Sequence, residues 1–180
     1  MNVYSYKSNA IDTIQSGTGS AANLAPFDDL SELILVPVTT NINQLNPKFA
    51  MIYETIPFSC ESIMAGIPVL DLSVTPNKPD AQIIAYLYDV NVFGYGTLLT
   101  HSAWTLRDVE PGIRQHLRFE FNVVACRIFE HHKLALVLDT YDKRFGFPER
   151  PAYSVNIHYD DKPVLKVPYT YEKPVYEPMP

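Results

Sequence analysis

His116-Leu117-Arg118-Phe119-Glu120-Phe121-Asn122-Val123 alternates polar and apolar residues without a break. A period of two marks a strand with one buried face. Leu117, Phe119, Phe121 and Val123 turn inward, and His116, Arg118, Glu120 and Asn122 turn outward. The pattern recurs at Tyr153–Asp160, where Tyr153, Val155, Ile157 and Tyr159 oppose Ser154, Asn156, His158 and Asp160. It recurs again within Ile67–Thr75, where Leu70, Leu72 and Val74 oppose Asp71, Ser73 and Thr75. Ala81–Val90 is almost continuously apolar and rich in Ile and Tyr, as a central strand buried on both faces requires. Lys133–Asp139, KLALVLD, is a further strong strand, and Leu33–Val38, Phe49–Glu54 and Pro163–Val167 read as shorter ones.

Turn-forming residues separate these runs: Pro76-Asn77-Lys78-Pro79, Gly94-Tyr95-Gly96, Glu110-Pro111-Gly112 and Asp160-Asp161. The chain has 15 Pro against 7 Gly, with 12 Tyr and 9 Phe. Proline breaks helix interiors and aromatic side chains fit pleated strands, so the composition points the same way as the periodicity. No convincing amphipathic helix interrupts the strands. The reading is an all-β fold, a jelly-roll β-sandwich. Residues 1–48 read as an irregular arm with a short strand, 49–168 as the sandwich, and 169–180 as an extended Pro- and Tyr-rich tail. A length of 180 residues suits one core and is too short for two ordinary domains.

Fourteen basic against 20 acidic side chains leave a net charge of -6, which opposes a nucleic-acid-binding surface. No apolar run is long enough to span a membrane, and no secretory signal is visible at the N-terminus, a leaning toward the cytoplasm. Cys60 and Cys126 allow one disulfide at most and read as two separate buried thiols. Covalent catalysis on a hydrolase fold needs a serine on a G-x-S-x-G turn, and no serine here has that spacing. No catalytic residue is therefore assigned. His131 and His132 are adjacent, so on a strand they point to opposite sides and do not chelate one ion; no metal and no cofactor is expected. Gly17-Thr18-Gly19-Ser20 follows no strand and carries no lysine, so it reads as a loop. Exposed aromatics with polar neighbours would suit a sugar, which makes Tyr95, Trp104 and Tyr141 candidate ligand-binding residues and a free-standing carbohydrate- or ligand-binding module the alternative reading.

A set of strings carries a resemblance. Tyr53-Glu54-Thr55-Ile56-Pro57, then Gly66-Ile67-Pro68-Val69 and Leu72-Ser73, are followed by Pro79-Asp80-Ala81-Gln82 and Tyr86-Leu87-Tyr88-Asp89-Val90, similar to a "D-x-D/A … L-x-D-V" strand. Leu98-Leu99-Thr100-His101 with Thr105-Leu106-Arg107 resembles an "L-L-T-x-G … L-R" segment, and Leu117–Phe121, Ile128-Phe129 and His132–Leu136 resemble "F … G-H-x-L-x-L". Asp139-Thr140-Tyr141-Asp142 and Arg150-Pro151 through Tyr153-Ser154-Val155 follow. In this order they resemble the C-terminal domain of X-Pro dipeptidyl-peptidases and the related cocaine-esterase-like (CocE/NonD) serine hydrolases of peptidase family S15. Two positions depart: His131 stands where the family has glycine, and Ser102 stands where a glycine follows the position of His101. The resemblance implies a galactose-binding-like jelly roll that packs on an α/β-hydrolase catalytic domain, buttresses it, forms part of the wall of its substrate cleft and supports oligomerisation. The catalytic Ser, Asp and His of that family lie outside this domain.

Overall fold

The structure is a computed structural model and describes residues 11–17, 38–142 and 152–170. In chain order its strands are β1 (Ile11–Gln15), β2 (Thr39–Asn41), β3 (Ala50–Glu54), β4 (Ser62–Gly66), β5 (Val69–Pro76), β6 (Ala81–Val90), β7 (Tyr95–Leu106), β8 (Gln115–Glu120), β9 (Val124–Ile128), β10 (Lys133–Asp139), β11 (Ser154–His158), β12 (Val164–Lys166) and β13 (Tyr169–Thr170). A 3-10 turn, Ile42–Gln44, follows β2 and is capped by Asn41, whose side chain accepts from the Asn43 amide.

Every pairing is antiparallel. Sheet I runs β2-β7-β6-β10-β3, with the two apolar runs β6 and β10 at its centre. In sheet II, β8 pairs with one edge of β5. The other edge of β5 pairs first with β12, opposite Val69–Asp71, and then with β11, opposite Ser73–Pro76. Residues 159–163 therefore leave the sheet as an excursion between two strands that share one edge. β1 completes this sheet against β11. The small sheet III, β13-β4-β9, closes one end of the sandwich. Its Met64, Val124 and Ile128 point into the core. The Phe121 and Ala65 amides bond to the Pro68 and Pro168 carbonyls on the sheet II side, and the Phe58 and His131 amides to the His132 and Phe58 carbonyls on the sheet I side. This is the His132 end. The Asp139 end lies opposite, where β10 and β5 finish and β6 begins.

The main core fills the space between sheets I and II: Leu72, Val74, Leu117, Phe119, Val155 and Ile157 from one side meet Ile83, Leu87, Leu134 and Leu136 from the other. Ile84 and Tyr86 are buried too, but in a second cluster on the outer face of sheet I, with Tyr88, Val90, Ala135 and Val137. Burial on both faces explains why the sequence of β6 shows no alternation. The outer face of sheet II is polar instead, as its alternating sequence requires.

Two expectations need correction. Val123 is 75% exposed, because β8 ends at Glu120 and the chain turns away before it reaches that residue. The cysteines are half-buried rather than buried, and both are free. Cys126 faces Met64 across the β4–β9 ladder, four residues along from Cys60, roughly 13 Å at strand rise and beyond disulfide reach. Within the segment read as an arm, β1 and β2 belong to sheets II and I. Leu33–Val38 falls outside the described residues apart from its last residue.

Candidate functional site

Polar side chains tie the strands together at both ends of the sandwich. At the Asp139 end, the Tyr153 hydroxyl lies 3.0 Å from the Thr140 carbonyl and 3.1 Å from both the carbonyl and the amide of Gln82. With one proton it donates to a carbonyl, and with its lone pairs it accepts from the amide. Burial pushes its pKa up, so it stays a neutral donor. Asp139 turns its carboxylate back onto the Tyr141 amide at 3.1 Å, and the Tyr86 hydroxyl donates to Asp142 at 2.7 Å in a buried setting. Burial, then the neighbouring carboxylate, pushes the Tyr86 pKa far up.

At the His132 end, β6 and the turn before β10 are joined by His132 Nδ1–H donating to Asp89 Oδ1 at 2.9 Å. The His132 ring packs on Phe129, centroids 5.5 Å apart. Burial raises the Asp89 pKa, while the hydrogen bond from His132 opposes that shift. Lys133–Glu54 at 3.0 Å and Arg127–Glu61 at 3.3 Å lie at the same end.

On the outer face of sheet II a third network strings across β5. Arg114 donates to Asp160 at 3.1 Å, to Asp161 at 2.9 Å and to Nδ1 of His158 at 3.0 Å. His158 Nε2 is 2.7 Å from Thr75 Oγ1. No sequence signal marks this group: Asp160-Asp161 reads as a turn, and Arg114 precedes a strand without any motif. A fourth network closes the open side between β1 and β3. Tyr159 donates to Asp12, so Tyr53, 2.7 Å away, donates to Tyr159.

The candidate aromatics do not converge. Tyr95 opens β7 and is exposed, whereas Trp104 lies nine residues along the same strand, about 30 Å at strand rise, packed on Phe119. Tyr141 is buried. Among the described residues, no group of three or more His, Cys, Asp or Glu is placed to hold a metal ion, and no helix is long and apolar enough to cross a membrane.

Residues 3–161 match the family described as the X-Pro dipeptidyl-peptidase C-terminal non-catalytic domain. The chain belongs to that family. No curated protein matches in sequence. An aminopeptidase from a marine sediment Thaumarchaeota archaeon superposes with a TM-score of 0.70 at 14% identity, over 90% of this chain and 33% of that one. An α-amino acid ester hydrolase gives 0.71 at 11% identity, over 93% and 33%. A CocE/NonD family hydrolase from Staphylococcus aureus gives 0.53 at 9%, over 67% and 30%. The chain thus spans about a third of the length of the solved structures it matches, and at these identities the likeness shows the fold.

Seen as an X-Pro dipeptidyl-peptidase C-terminal domain, the chain puts its familiar strings where the strands are tied. Asp89 of the "L-x-D-V" string and His132 of the "G-H" string are bonded to each other. His131, at the family's glycine position, has φ of 67°, the left-handed region that glycine adopts without steric cost. The strings around Gln82, Thr140 and Tyr153 meet at the Tyr153 hydroxyl.

Proposed function

We propose that this domain buttresses the α/β-hydrolase catalytic domain of a serine hydrolase that cleaves peptide or ester bonds through an acyl-enzyme, and that it forms part of the wall of the substrate cleft. The observation that carries the reading is the family match over residues 3–161. The architecture supports it: a filled core with tied ends gives a rigid body whose shape does not wait on a ligand. The nucleophile and its base belong to the catalytic domain in this reading, and this chain supplies neither.

The test is chemical. The 180-residue chain is incubated with an X-Pro p-nitroanilide and a short-chain aryl ester, and in parallel with a serine-reactive phosphonate. The expected result is no turnover and no covalent label. Turnover accompanied by stoichiometric labelling of one serine would overturn the reading, because the chain would then hold a complete catalytic site.

A further inference from the structure

The outer face of sheet I is apolar, and a sheet face of that kind has to be packed against another layer. Its rows are fixed by register. Ala50, Asp139, Ile84 and Ala103 lie side by side at the Asp139 end, with Ile52, Val137, Tyr86 and His101 in the next row. Ile84 and Val137 are fully buried, and Tyr86 is 1% exposed. Among the described residues, only Ile42 and Leu45 join this apolar cluster from outside the sheet. Ile42 sits at the His132 end, where a Cβ on Gly96 would come within 2.9 Å of it. Residues 42–49 lead from Asn41, opposite Tyr95, to Ala50, opposite Asp139, so they cross the face along a diagonal. The corner they leave, on the β7 side at the Asp139 end, holds Ile84, Ala103 and His101, and Asp142 reaches the Tyr86 hydroxyl beside it.

We propose that the chain's own residues 18–37 cover this corner. Two observations select them. The first is where their ends lie. Gly17 lies against the Phe49 ring just ahead of β3, and the nearby Gln15 amide bonds to the Lys48 carbonyl. At the other end, the Val38 carbonyl accepts from the Leu98 amide of β7. β3 and β2 are opposite edges of sheet I, four strand spacings or about 19 Å apart. The segment therefore has to cross the sandwich, and the corner lies between its departure at the Asp139 end and its arrival on β7. Residues 143–151 have no such crossing to make, because Asp142 and Tyr153 are both held at the Asp139 end. The second observation is chemistry. Residues 18–37 carry Leu24, Phe27, Leu30 and the run Leu33–Val36, with no basic residue and with their three acids confined to positions 28–32. The other route round the sandwich, over the outer face of sheet II, is lined by Asp71, Arg118, Thr13 and Asn156 and offers an apolar run nothing to bury. A face closed by the chain itself is then not the one on which a catalytic domain docks.

Thiol labelling of Ala103→Cys in the 180-residue chain tests this, with the natural Cys126 of sheet III as the internal reference. The same variant is also made with Leu33, Ile34, Leu35 and Val36 replaced by serine. The thiol introduced at position 103 should react about tenfold or more faster once the apolar run is gone, while Cys126 keeps its rate. Photo-cross-linking identifies the cover itself. With p-benzoylphenylalanine in place of Ala103, irradiation of mixed isotopically light and heavy chains should attach the probe to residues 18–37 of the same copy. If either change at Ala103 prevents folding, the change is made at His101, in the next row. Equal rates at position 103 in the two chains overturn the proposal, and so does a rise of the same size at Cys126. Cross-links to residues 143–151 or to a second copy overturn it too. In a chain extended by a catalytic domain, protection of position 103 that appears only on extension would assign the face to that domain instead.

Discussion

His158 is a buried imidazole with both ring nitrogens committed. Arg114 has only donors, so Nδ1 must accept from it, and the ring's proton sits on Nε2, directed at Thr75 Oγ1. Protonating Nδ1 would set two donors face to face. Burial is the main cause that holds the His158 pKa below its ordinary value, Arg114 adds to it, and Asp160 and Asp161 oppose it. A histidine whose pKa is lower in the folded state contributes nothing above the unfolded value near 6.5, where both states are neutral. Below that value the unfolded chain takes up a proton before the folded one does, so stability falls as the pH drops through this window. Asn at position 158 offers a carbonyl to Arg114 and does not titrate. Thermal midpoints of the natural chain and of His158→Asn, compared between pH 7.5 and 5.5, should diverge, with the natural chain losing the more on acidification. Parallel curves would mean that Arg114 does not hold this ring neutral.

At the scale of the element, β8 is the simplest strand to test. Phe119 is fully buried and packs against Trp104, while Arg118 and Glu120 on either side face solvent. Phe119→Ala should cost about 3–5 kcal/mol, the usual large-to-small penalty in a core. Arg118→Ala and Glu120→Ala should each shift stability by about 0.5 kcal/mol or less, since both belong to exposed ion pairs. Chemical denaturation measures all three, and losses of similar size would mean that the strand has no inner and outer face. Where period two holds, the sequence discloses the element: β5, β8 and β11 are read by alternation, and β6 and β10 by continuous apolarity. β7 is the longest strand and escaped that reading. Tyr88 pairs with Leu98 but Leu87 with Thr100, so Leu99 is an extra residue that reverses the phase partway along. On its inner face β7 also carries Thr100 and Ser102, whose hydroxyls donate to the Asn122 and Glu120 carbonyls along the edge of sheet II. Those polar residues do a structural task that looks like a loop in one dimension. β4 and β9 were missed for a related reason, since they close the sandwich end with small and mixed residues such as Ala65, Ala125 and Cys126. The ties at Asp89–His132 and Tyr153 join residues far apart in sequence, and only the family resemblance marked the strings that hold them.

For the whole molecule, the question is where the sandwich begins. The composition of residues 1–48 reads as an arm, yet β1 is built into sheet II along its full length. Ile14 is 1% exposed and belongs to the main core. The Gln15 amide donates to the Lys48 carbonyl and the Ser16 amide to the Tyr153 carbonyl, while Asp12 anchors Tyr159 and, through it, Tyr53. This strand therefore joins sheet II to β3, the edge strand of sheet I, on the side left open between β1 and β3. A chain that starts at residue 17 would lose a buried side chain, a ladder of backbone bonds and the acceptor of a half-buried hydroxyl pair together. It would also expose the β11 edge, which invites pairing between chains. The expected outcome is a loss of several kcal/mol, well beyond the range of surface changes and a large part of the roughly 5–15 kcal/mol that holds a typical domain folded. Ile14→Ala alone should cost about 2–5 kcal/mol. Urea denaturation of the intact chain, the truncated chain and Ile14→Ala settles the point. If truncation leaves the midpoint unchanged, β1 is an appendage and the folding unit starts later. If the truncated chain and Ile14→Ala lose stability in that order, the folding unit includes the N-terminal strand.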